Sequence, residues 1–311
     1  MPPAEPTPET LRNPLARYLF ATRPAFLSVT LCAWMVGIGT AHGTGIAVDP
    51  ALAALTLAFA LVAHAGVNVL NDYYDARIGT DAINVERIFP FTGGSRFIQN
   101  GVLSLAQTGW FGAALFGVVI AAGVLLIALS AMGLFWIGAA GLVIGWAYSA
   151  PPLKLASRGL GEICVAAGFA LIVVGTDYVQ RAHFASLPWI AAVPYALLVT
   201  NLLYINQFPD READRRSGKW QLVVRLGPAR ARWGYLIIGA GAYAWLALAV
   251  LAGALPSWGW VALLAAIPSA LAARELWSHA AQPARLARGI KLTIVAAIAH
   301  GLLLSGALLA I

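Results

Sequence analysis

Residues 68–81 read NVLNDYYDARIGTD and end an apolar run that is otherwise typical of a membrane span. Asn68, Asp72 and Asp75 within it are spaced i, i+4, i+7, so they lie on one stripe if the helix continues through them. Acidic residues inside membrane segments are costly and are usually functional. This first acidic stripe (Asn68, Asp72 and Asp75) therefore predicts a polar site at the end of a membrane helix.

A second stretch, NQFPDREADRRSGK at residues 206–219, ends another apolar run in the same manner. Its second acidic stripe (Asn206, Asp210 and Asp214) has the spacing i, i+4, i+8. Two matching stripes at equivalent ends of two helices predict that both face one cavity. Clustered carboxylates stay ionised near a membrane only beside cations. Mg²⁺ fits, since it takes one or two carboxylates and completes its shell with water and phosphate oxygens.

The composition of the chain is that of an integral membrane protein. Its 311 residues are 60% hydrophobic and 11% charged, whereas about 25% charged residues are usual in a soluble domain. The net charge of +7 does not gather on one soluble face, so nucleic acid is not an expected partner. Cys32 and Cys164 lie in apolar runs without metal-ligand spacing, which predicts small core residues.

Nine apolar runs are long enough to cross a bilayer core of roughly 30 Å. They predict spans over residues 24–46, 51–74, 106–130, 131–149, 160–180, 187–208, 232–253, 257–273 and 290–310. With the N-terminus inside, every Lys and Arg except Arg181 falls in an inner segment, as expected for cytoplasmic loops. The sequence predicts an all-α polytopic protein with nine transmembrane helices, in a bacterial cytoplasmic (inner) membrane, with its polar site on the cytoplasmic side. Near the outer end, Asp177 and Arg181 are expected to form a structural i, i+4 pair.

The chain is expected to form one domain over residues 23–311, preceded by a cytoplasmic tail over residues 1–22. The opening MPPAEPTPET lacks the basic start and apolar core of a signal peptide, which predicts a frayed tail.

The stripes and the membrane together predict the class of substrate. A molecule whose diphosphate completes a magnesium site, and whose tail lies among the helices, is a polyprenyl diphosphate. Candidates for holding its phosphates by charge-assisted hydrogen bonds are Arg87, Lys154, Arg158, Arg215 and Lys219. A secondary transporter or channel is the alternative class, since acids near an interrupted helix also mark ion pathways. Placement of both stripes at one face, not near mid-membrane, favours the enzyme.

Three stretches resemble motifs of the UbiA superfamily of intramembrane prenyltransferases. NDYYDARIGTD resembles its first aspartate motif, YSAPPLKLASRGLGE at residues 148–162 its loop with Tyr and Lys, and residues 206–227 its second aspartate motif. The resemblance implies nine helices around a central cavity with cytoplasmic cap loops. It also implies an enzyme that transfers a prenyl group from its diphosphate to an aromatic acceptor.

By matching position, the resemblance implies two Mg²⁺ ions bridged by the diphosphate, one on each stripe, with Asn71 and Asp81 as secondary candidates. Tyr148 and Tyr204 would offer ring faces to the allylic cation, although a place in the interfacial aromatic belt explains them equally well. The residues predicted to be catalytic are Asp72, Asp75, Asp210, Asp214, Lys154 and Tyr148.

The details favour one branch of the superfamily. Gly79 stands four residues beyond Asp75, where branches acting on 4-hydroxybenzoate or haem have an acid, and the acid here is Asp81. With the ending GKWQLVVRLG, this form resembles the branch of menaquinone synthesis, whose acceptor is 1,4-dihydroxy-2-naphthoate. One loop differs from the loop that is usual in that branch: residues 90–101 read PFTGGSRFIQNG. Other acceptors therefore stay open: 4-hydroxybenzoate, homogentisate, a chlorin, a glycerol phosphate or a specialised metabolite, or none in a cyclase. Tail length and oligomeric state are not given by the sequence.

Overall fold

Apolar segments in lipid fold as helices, because a helix satisfies its backbone hydrogen bonds within the segment. The computed structural model describes residues 4–310, and the regular structure in that part of the chain is helical. The α-helices are α1 (Pro14–Ala21), α2 (Ser28–His42), α3 (Pro50–Ile78), α4 (Thr80–Ile83), α5 (Leu105–Leu129), α6 (Leu134–Ser149), α7 (Gly161–Arg181), α8 (Leu187–Ser217), α9 (Leu222–Leu226), α10 (Pro228–Leu251), α11 (Ala266–His279) and α12 (Ala287–Leu309). Short 3₁₀ helices cover Pro24–Leu27, Ala156–Arg158, Ser257–Ala265 and Pro283–Arg285.

Eight segments within residues 4–310 are long and apolar enough to cross a membrane, counting Pro24–His42 and Ser257–His279 as one each. The fourth predicted span is α6, which has 16 residues and covers about 24 Å at the usual helical rise. The prediction of an all-α, multi-pass membrane protein is therefore confirmed. One of its nine predicted spans is shorter than a full crossing.

The helices that carry the acidic stripes are longer than predicted. α3 was expected to end at residue 74 and continues to Ile78, and α8 continues through Pro209 to Ser217. Each then ends at a glycine in the left-handed region, Gly79 (φ 81°) and Gly218 (φ 80°), a conformation that glycine adopts without steric penalty. Both stripes therefore lie on continuous helix, as their spacing requires.

Capping residues fix where two of the helices beside the cavity begin. At the start of α3 the Asp49 carboxylate accepts from the backbone amides of Ala51 and Leu52. At the start of α5, Ser104 and Gln107 form a reciprocal capping box. These caps set the register of α3 and α5, and hence which residues face inward.

The main apolar core joins α2, α7, α8, α10 and α12. Its fully buried members include Val36, Val173, Tyr195, Leu246 and Leu304. The cavity lies on the other side of α7 and α8, between them and α3, α5 and α6. One half of the bundle is thus packed solid, and the other half encloses space.

The end of the bundle that bears both stripes is here called the acidic end. The loops at this end form a cap and are joined to one another by hydrogen bonds. Trp220 N–H donates to the Ser157 carbonyl over 2.8 Å, and Arg225 donates to the Trp220 carbonyl over 2.7 Å. On the other side, the hydroxyls of Thr80 and Ser217 bond over 2.7 Å. Bonds between separate loops hold the cap as one layer over the cavity.

The sequence predicts a frayed N-terminal tail. Over its described part, residues 4–22, the tail instead packs against the cap. Leu11 and Tyr18 pack against a small core that contains Phe97 and Leu103. α1 begins at a cap in which Asn13 accepts from the Leu15 amide. The tail is therefore docked on the cap.

Candidate active site

A cavity of about 560 Å³ runs from the acidic stripes along the inside of the bundle. Its far wall is apolar and includes Leu126, Leu134 and Val179. These residues lie towards the end of the bundle that bears Asp177, which is here called the opposite end. Phe116 and Phe169 line its length. The cavity is therefore polar at one end and suited to an apolar chain over the rest.

The first acidic stripe is held by partners from three directions. Asp72 is buried and forms an ion pair with Arg23, and it also accepts from the Ser95 amide over 3.3 Å. Asp75 accepts from the Asn71 side-chain amide over 3.1 Å. The Asn68 amide donates to the Thr22 carbonyl over 3.0 Å, which ties α3 to the end of the tail.

The second acidic stripe takes its partners from the cap. Asp210 accepts from the Asn84 side chain over 2.6 Å and from the Gly93 amide over 3.3 Å. Asp214, buried to 1% exposure, accepts from the Gln221 side chain over 2.6 Å. The cap therefore contacts the acids directly.

Lys219 joins the two stripes across the cavity. Its Nζ lies 3.0 Å from Asp75 Oδ2 and 3.3 Å from Asp214 Oδ1. Burial alone would lower the pKa of Lys219, but the carboxylates of Asp214 and Asp75 raise it well above its usual range. The structure thus brings both stripes to one site and keeps a fixed positive charge between them.

Carboxylates outnumber cationic side chains at this end of the cavity. Both stripes and Asp81 supply carboxylates, while the cations in ion-pair contact with them are Arg23 and Lys219. Among the described residues, three buried oxygens at this end have no hydrogen-bond partner: Asp81 Oδ2, Asn84 Oδ1 and Asn206 Oδ1. Burial, together with the charges of Asp75 and Asp72, raises the pKa of Asp81 to about 8. Each of these features favours a cation.

The donor set fits Mg²⁺ better than a metal that needs an all-protein cage. Within residues 4–310 there is no cluster of three His, Cys, Asp or Glu groups placed to hold a metal by themselves. Mg²⁺ uses one or two carboxylates and completes its shell with water and phosphate. The orphaned oxygen of Asn206, next to Asp210, suits such a shell.

Lys154 and Tyr148 lie beside the acids. They line a side cavity of about 130 Å³ that shares Asp75 and Lys219 with the main cavity, and Tyr148 lines both. Lys154 has a positive φ of 44°, in a tight turn after α6. Both residues therefore line the side cavity next to Asp75 and Lys219.

Among the described residues, five predicted residues lie outside the walls of both cavities. One is Asp72, which is buried and forms its ion pair with Arg23. The other four have predicted contacts that need correction for this structure. Arg87 pairs with Glu5, Arg215 pairs with Glu212 on the surface, and the exposed Arg158 donates to the Pro152 carbonyl. The Tyr204 hydroxyl donates to the Ala231 carbonyl in the core, 2.9 Å away. In each case a nearer partner takes the group that was expected to face the substrate.

Three residues at the site were not found by sequence reasoning: Arg23, Asn84 and Gln221. Arg23 precedes Pro24 in the left-handed region, with φ 57°, and this bend delivers its side chain to Asp72. In the sequence, Arg23 counts only among the basic residues of the inner segments. Asn84 and Gln221 lie in cap loops, where side-chain direction follows no helical period.

Comparison with known proteins agrees with this geometry. The family model described as the UbiA prenyltransferase family matches residues 29–297. The chain belongs to the UbiA prenyltransferase family. It is 34% identical over 278 residues to the 1,4-dihydroxy-2-naphthoate octaprenyltransferase of Mycobacterium tuberculosis, which covers 88% of each chain. It is 33% identical to the protein of that name from Mycobacterium leprae, covering 73% of this chain and 75% of the other. The Escherichia coli protein of that name is 32% identical, covering 80% and 81%.

Solved structures of UbiA homologues share the fold. The apo form of a homologue from Aeropyrum pernix superposes with a TM-score of 0.66 at 21% identity, covering 88% of this chain and 96% of that one. A homologue from Archaeoglobus fulgidus bound to DMAPP and Mg²⁺ gives 0.59 at 19% identity, covering 95% and 99%. This UbiA chain is therefore a membrane prenyltransferase, with its acidic stripes at the polar end of the cavity.

Proposed function

We propose that the chain transfers a polyprenyl group from a polyprenyl diphosphate to 1,4-dihydroxy-2-naphthoate, in the presence of Mg²⁺, as a step of menaquinone synthesis. The observation that carries the proposal is the unpartnered set of buried oxygens at the polar end of an apolar cavity. A diphosphate with its cations supplies what those oxygens lack, and a prenyl tail fits the apolar wall. The bound DMAPP and Mg²⁺ of the Archaeoglobus fulgidus homologue support this assignment.

Each acidic stripe would hold one ion through its two aspartates and its asparagine. Mg²⁺, when bound, would neutralise the negative charge that grows on the diphosphate as the allylic C–O bond breaks. Lys219 and Lys154 line the side cavity and would contact the phosphates. Arg23 now pairs with Asp72 and is expected to move to the phosphates when the donor binds. The residues thus assist departure of the diphosphate by fixed positive charge.

A ring carbon of the acceptor would then bond to the allylic cation beside Tyr148, and the ring would regain aromaticity by losing the substituent on that carbon, either a proton or the carboxylate as CO₂. The ring of Tyr148 lines both cavities, so it lies where the main and side cavities meet. A tyrosine face stabilises a nearby cation through its ring quadrupole. The apolar wall formed by Phe116 and Phe169 excludes water from the tail of the donor. Exclusion of water favours the aromatic acceptor over hydrolysis.

The choice of 1,4-dihydroxy-2-naphthoate rests on the names of the bacterial relatives and on one local departure from the wider superfamily. Gly79 ends α3 in place of an acid, and its φ of 81° turns the chain so that Asp81 is buried near the cavity instead. The relatives from Mycobacterium tuberculosis and Escherichia coli bear the name of that activity.

The acidic end is proposed to face the cytoplasm. Lys and Arg concentrate in the loops at this end, whereas Arg181 lies at the opposite end. Short loops rich in Lys and Arg are retained on the cytoplasmic side of a bacterial inner membrane. A water-soluble acceptor would then enter from the cytoplasm and the donor from the bilayer.

A transfer assay with competing acceptors tests the proposal. Purified protein in detergent receives a labelled polyprenyl diphosphate, Mg²⁺ and equal amounts of 1,4-dihydroxy-2-naphthoate, 4-hydroxybenzoate and homogentisate. We expect prenylated naphthoquinol as the main product, lost with EDTA and restored by Mg²⁺. Transfer to another acceptor would contradict the pathway alone, whereas absence of any transfer or diphosphate release would contradict the enzyme.

A further inference from the structure

The cap loop, residues 84–104, covers the acids through its backbone. The Gly93 amide donates to Asp210 and the Ser95 amide donates to Asp72, so one short segment touches both stripes. Between them, Gly94 has a φ of 75°, and a Cβ added to it would meet the carboxylates of Asp81 and Asp72. The position of this loop therefore sets how closed the polar end of the cavity is.

Two arginines of the cap loop, Arg87 and Arg96, donate hydrogen bonds to backbone carbonyls in or beside the loop. Arg87 donates to the Asn84 carbonyl, and Asn84 in turn donates to Asp210. Arg96 donates to the Asp81 carbonyl. Burial and the neighbouring charge of Arg87 lower the pKa of Arg96. An anion between the two guanidinium groups would offset their repulsion.

Glu5 of the N-terminal tail supplies that anion. Its carboxylate lies 2.6 Å from a terminal nitrogen of Arg87 and 3.6 Å from Arg96 Nε. Asn100, at the far side of the loop, donates to the same carboxylate over 3.1 Å and to the Pro6 carbonyl over 3.0 Å. One acidic side chain therefore ties the tail to the start, middle and end of the cap loop.

A second, apolar contact fixes the other end of the same segment. Leu11 packs against buried Phe97, Val102 and Leu103. The Leu11 carbonyl accepts from Arg17 over 2.7 Å, which joins the segment to α1. The tail thus crosses the cap loop between two attachment points.

We propose that residues 4–13, here called the strap, hold the cap loop closed over the diphosphate end of the cavity, with Glu5 as the positioning residue. The proposal rests on the proposed function for its kinetic consequence and on the geometry for its structural one. When the strap is loose, the Gly93 and Ser95 amides leave the carboxylates and water reaches the allylic carbon. Water then takes the place of the acceptor: its oxygen bonds to that carbon, the C–O bond to diphosphate breaks, and a proton passes to solvent.

Two variants of full-length protein test the strap against a control in the same segment. Glu5→Gln removes the charge that binds both arginines, whereas Glu9→Gln removes an exposed charge from the same segment. Hydrogen exchange of residues 84–104 is measured beside transfer and hydrolysis. For Glu5→Gln we expect faster exchange at Gly93 and Ser95, a donor KM raised about 3- to 10-fold and more polyprenol per transfer, with kcat little changed. Glu9→Gln should match wild type in each readout.

A double-mutant cycle with Asn100→Ala sharpens the test. Because Asn100 binds the same carboxylate, the effects of the two substitutions should fail to add. Additive effects, or unchanged exchange at Gly93 and Ser95 in Glu5→Gln, would overturn the strap. Faster exchange with an unchanged donor KM would overturn the positioning role of Glu5. Exchange is read without catalysis, so a wild type that transfers no prenyl group would contradict the proposed function and leave the strap supported by faster exchange alone.

Discussion

The two ends of the bundle each bury aspartate on a transmembrane helix, but they differ in how far the carboxylates are paired with cations. At the opposite end, Asp177 is 1% exposed, and both of its oxygens are bonded: to Arg181 over 2.7 and 2.9 Å and to the Thr40 hydroxyl over 2.9 Å. At the acidic end, carboxylates outnumber the cations that pair with them, and buried oxygens of Asp81 and Asn206 have no hydrogen-bond partner within residues 4–310.

This difference in pairing distinguishes a structural acid from a functional one. A buried charge whose partner lies one helical turn away is satisfied within the fold, and removing it leaves the partner unpaired. A buried cluster in which carboxylates outnumber cations is stable in its charged form only when something else supplies positive charge. Asp177 belongs to the first kind, as predicted from its i, i+4 spacing with Arg181, and the stripes belong to the second.

The largest expected effect comes from removing one acid of the cluster. Asp210→Ala should lower kcat by about 10²- to 10³-fold, the usual loss for one preorganised electrostatic group. Transfer is measured in detergent with saturating donor and Mg²⁺, and circular dichroism confirms that the variant is folded. The matched control is Glu212→Ala, an exposed acid on the same helix that pairs with Arg215. A wild-type rate in Asp210→Ala would contradict the distinction between functional acids at the acidic end and a structural acid at the opposite end.

Glycines with the same backbone conformation at the two ends provide the next contrast. A Cβ on Gly94 would lie 3.2 Å from Asp72 Oδ1 and closer still to Asp81, whereas one on Gly45 would meet nothing within 4 Å. Both positions have positive φ, 75° and 81°, so Ala is strained by about 1–2 kcal/mol at each. We expect Gly94→Ala to lose more than about 10-fold in transfer, since the cap loop must shift off the acids. Equal activity in the two variants would show that the cap loop does not have to fit closely.

Lys154→Ala should have a moderate effect confined to the donor. Loss of one charge-assisted contact with a phosphate raises the donor KM by about 10-fold. Rates are measured over a range of donor concentrations, with exposed Lys291→Ala as the control. An unchanged dependence of rate on donor concentration would count against the placement of Lys154 beside the phosphates.

Asp177→Ala should leave the rate per folded molecule unchanged and lower stability instead. Removal of the carboxylate leaves Arg181, whose side chain is 7% exposed, without its charged partner. Breaking a buried pair in this way costs up to about 3 kcal/mol, and the loss is read as a lower thermal unfolding midpoint in detergent. A loss of activity without a loss of stability would mean that the opposite end also takes part in function.

The fold and the acids could be predicted because both depend on local patterns. Hydropathy located the helices, and the spacing within each stripe placed its three side chains on one face of α3 or α8. The pair of Asp177 with Arg181 was predictable for the same reason, since its partners are one turn apart.

Partners that are distant in the sequence could not be predicted. Arg23 meets Asp72 across 49 residues, and Lys219 meets Asp75 across 144. These contacts depend on the path of the loops, which hydrophobic periodicity does not describe. The same limit explains Arg87: its charge suggested a phosphate ligand, but the docked tail brings Glu5 to it first.

The most direct test of the metal-dependent clamp is a calorimetric titration of the wild-type protein with an unreactive thio-diphosphate analogue of the prenyl donor. We expect tight binding with Mg²⁺, no measurable binding after EDTA, and loss of the Mg²⁺-dependent binding in Asp72→Ala and Asp210→Ala but not in Asp177→Ala. Binding of equal strength with and without Mg²⁺ would contradict the proposal that the two acidic stripes form a metal-dependent clamp for diphosphate.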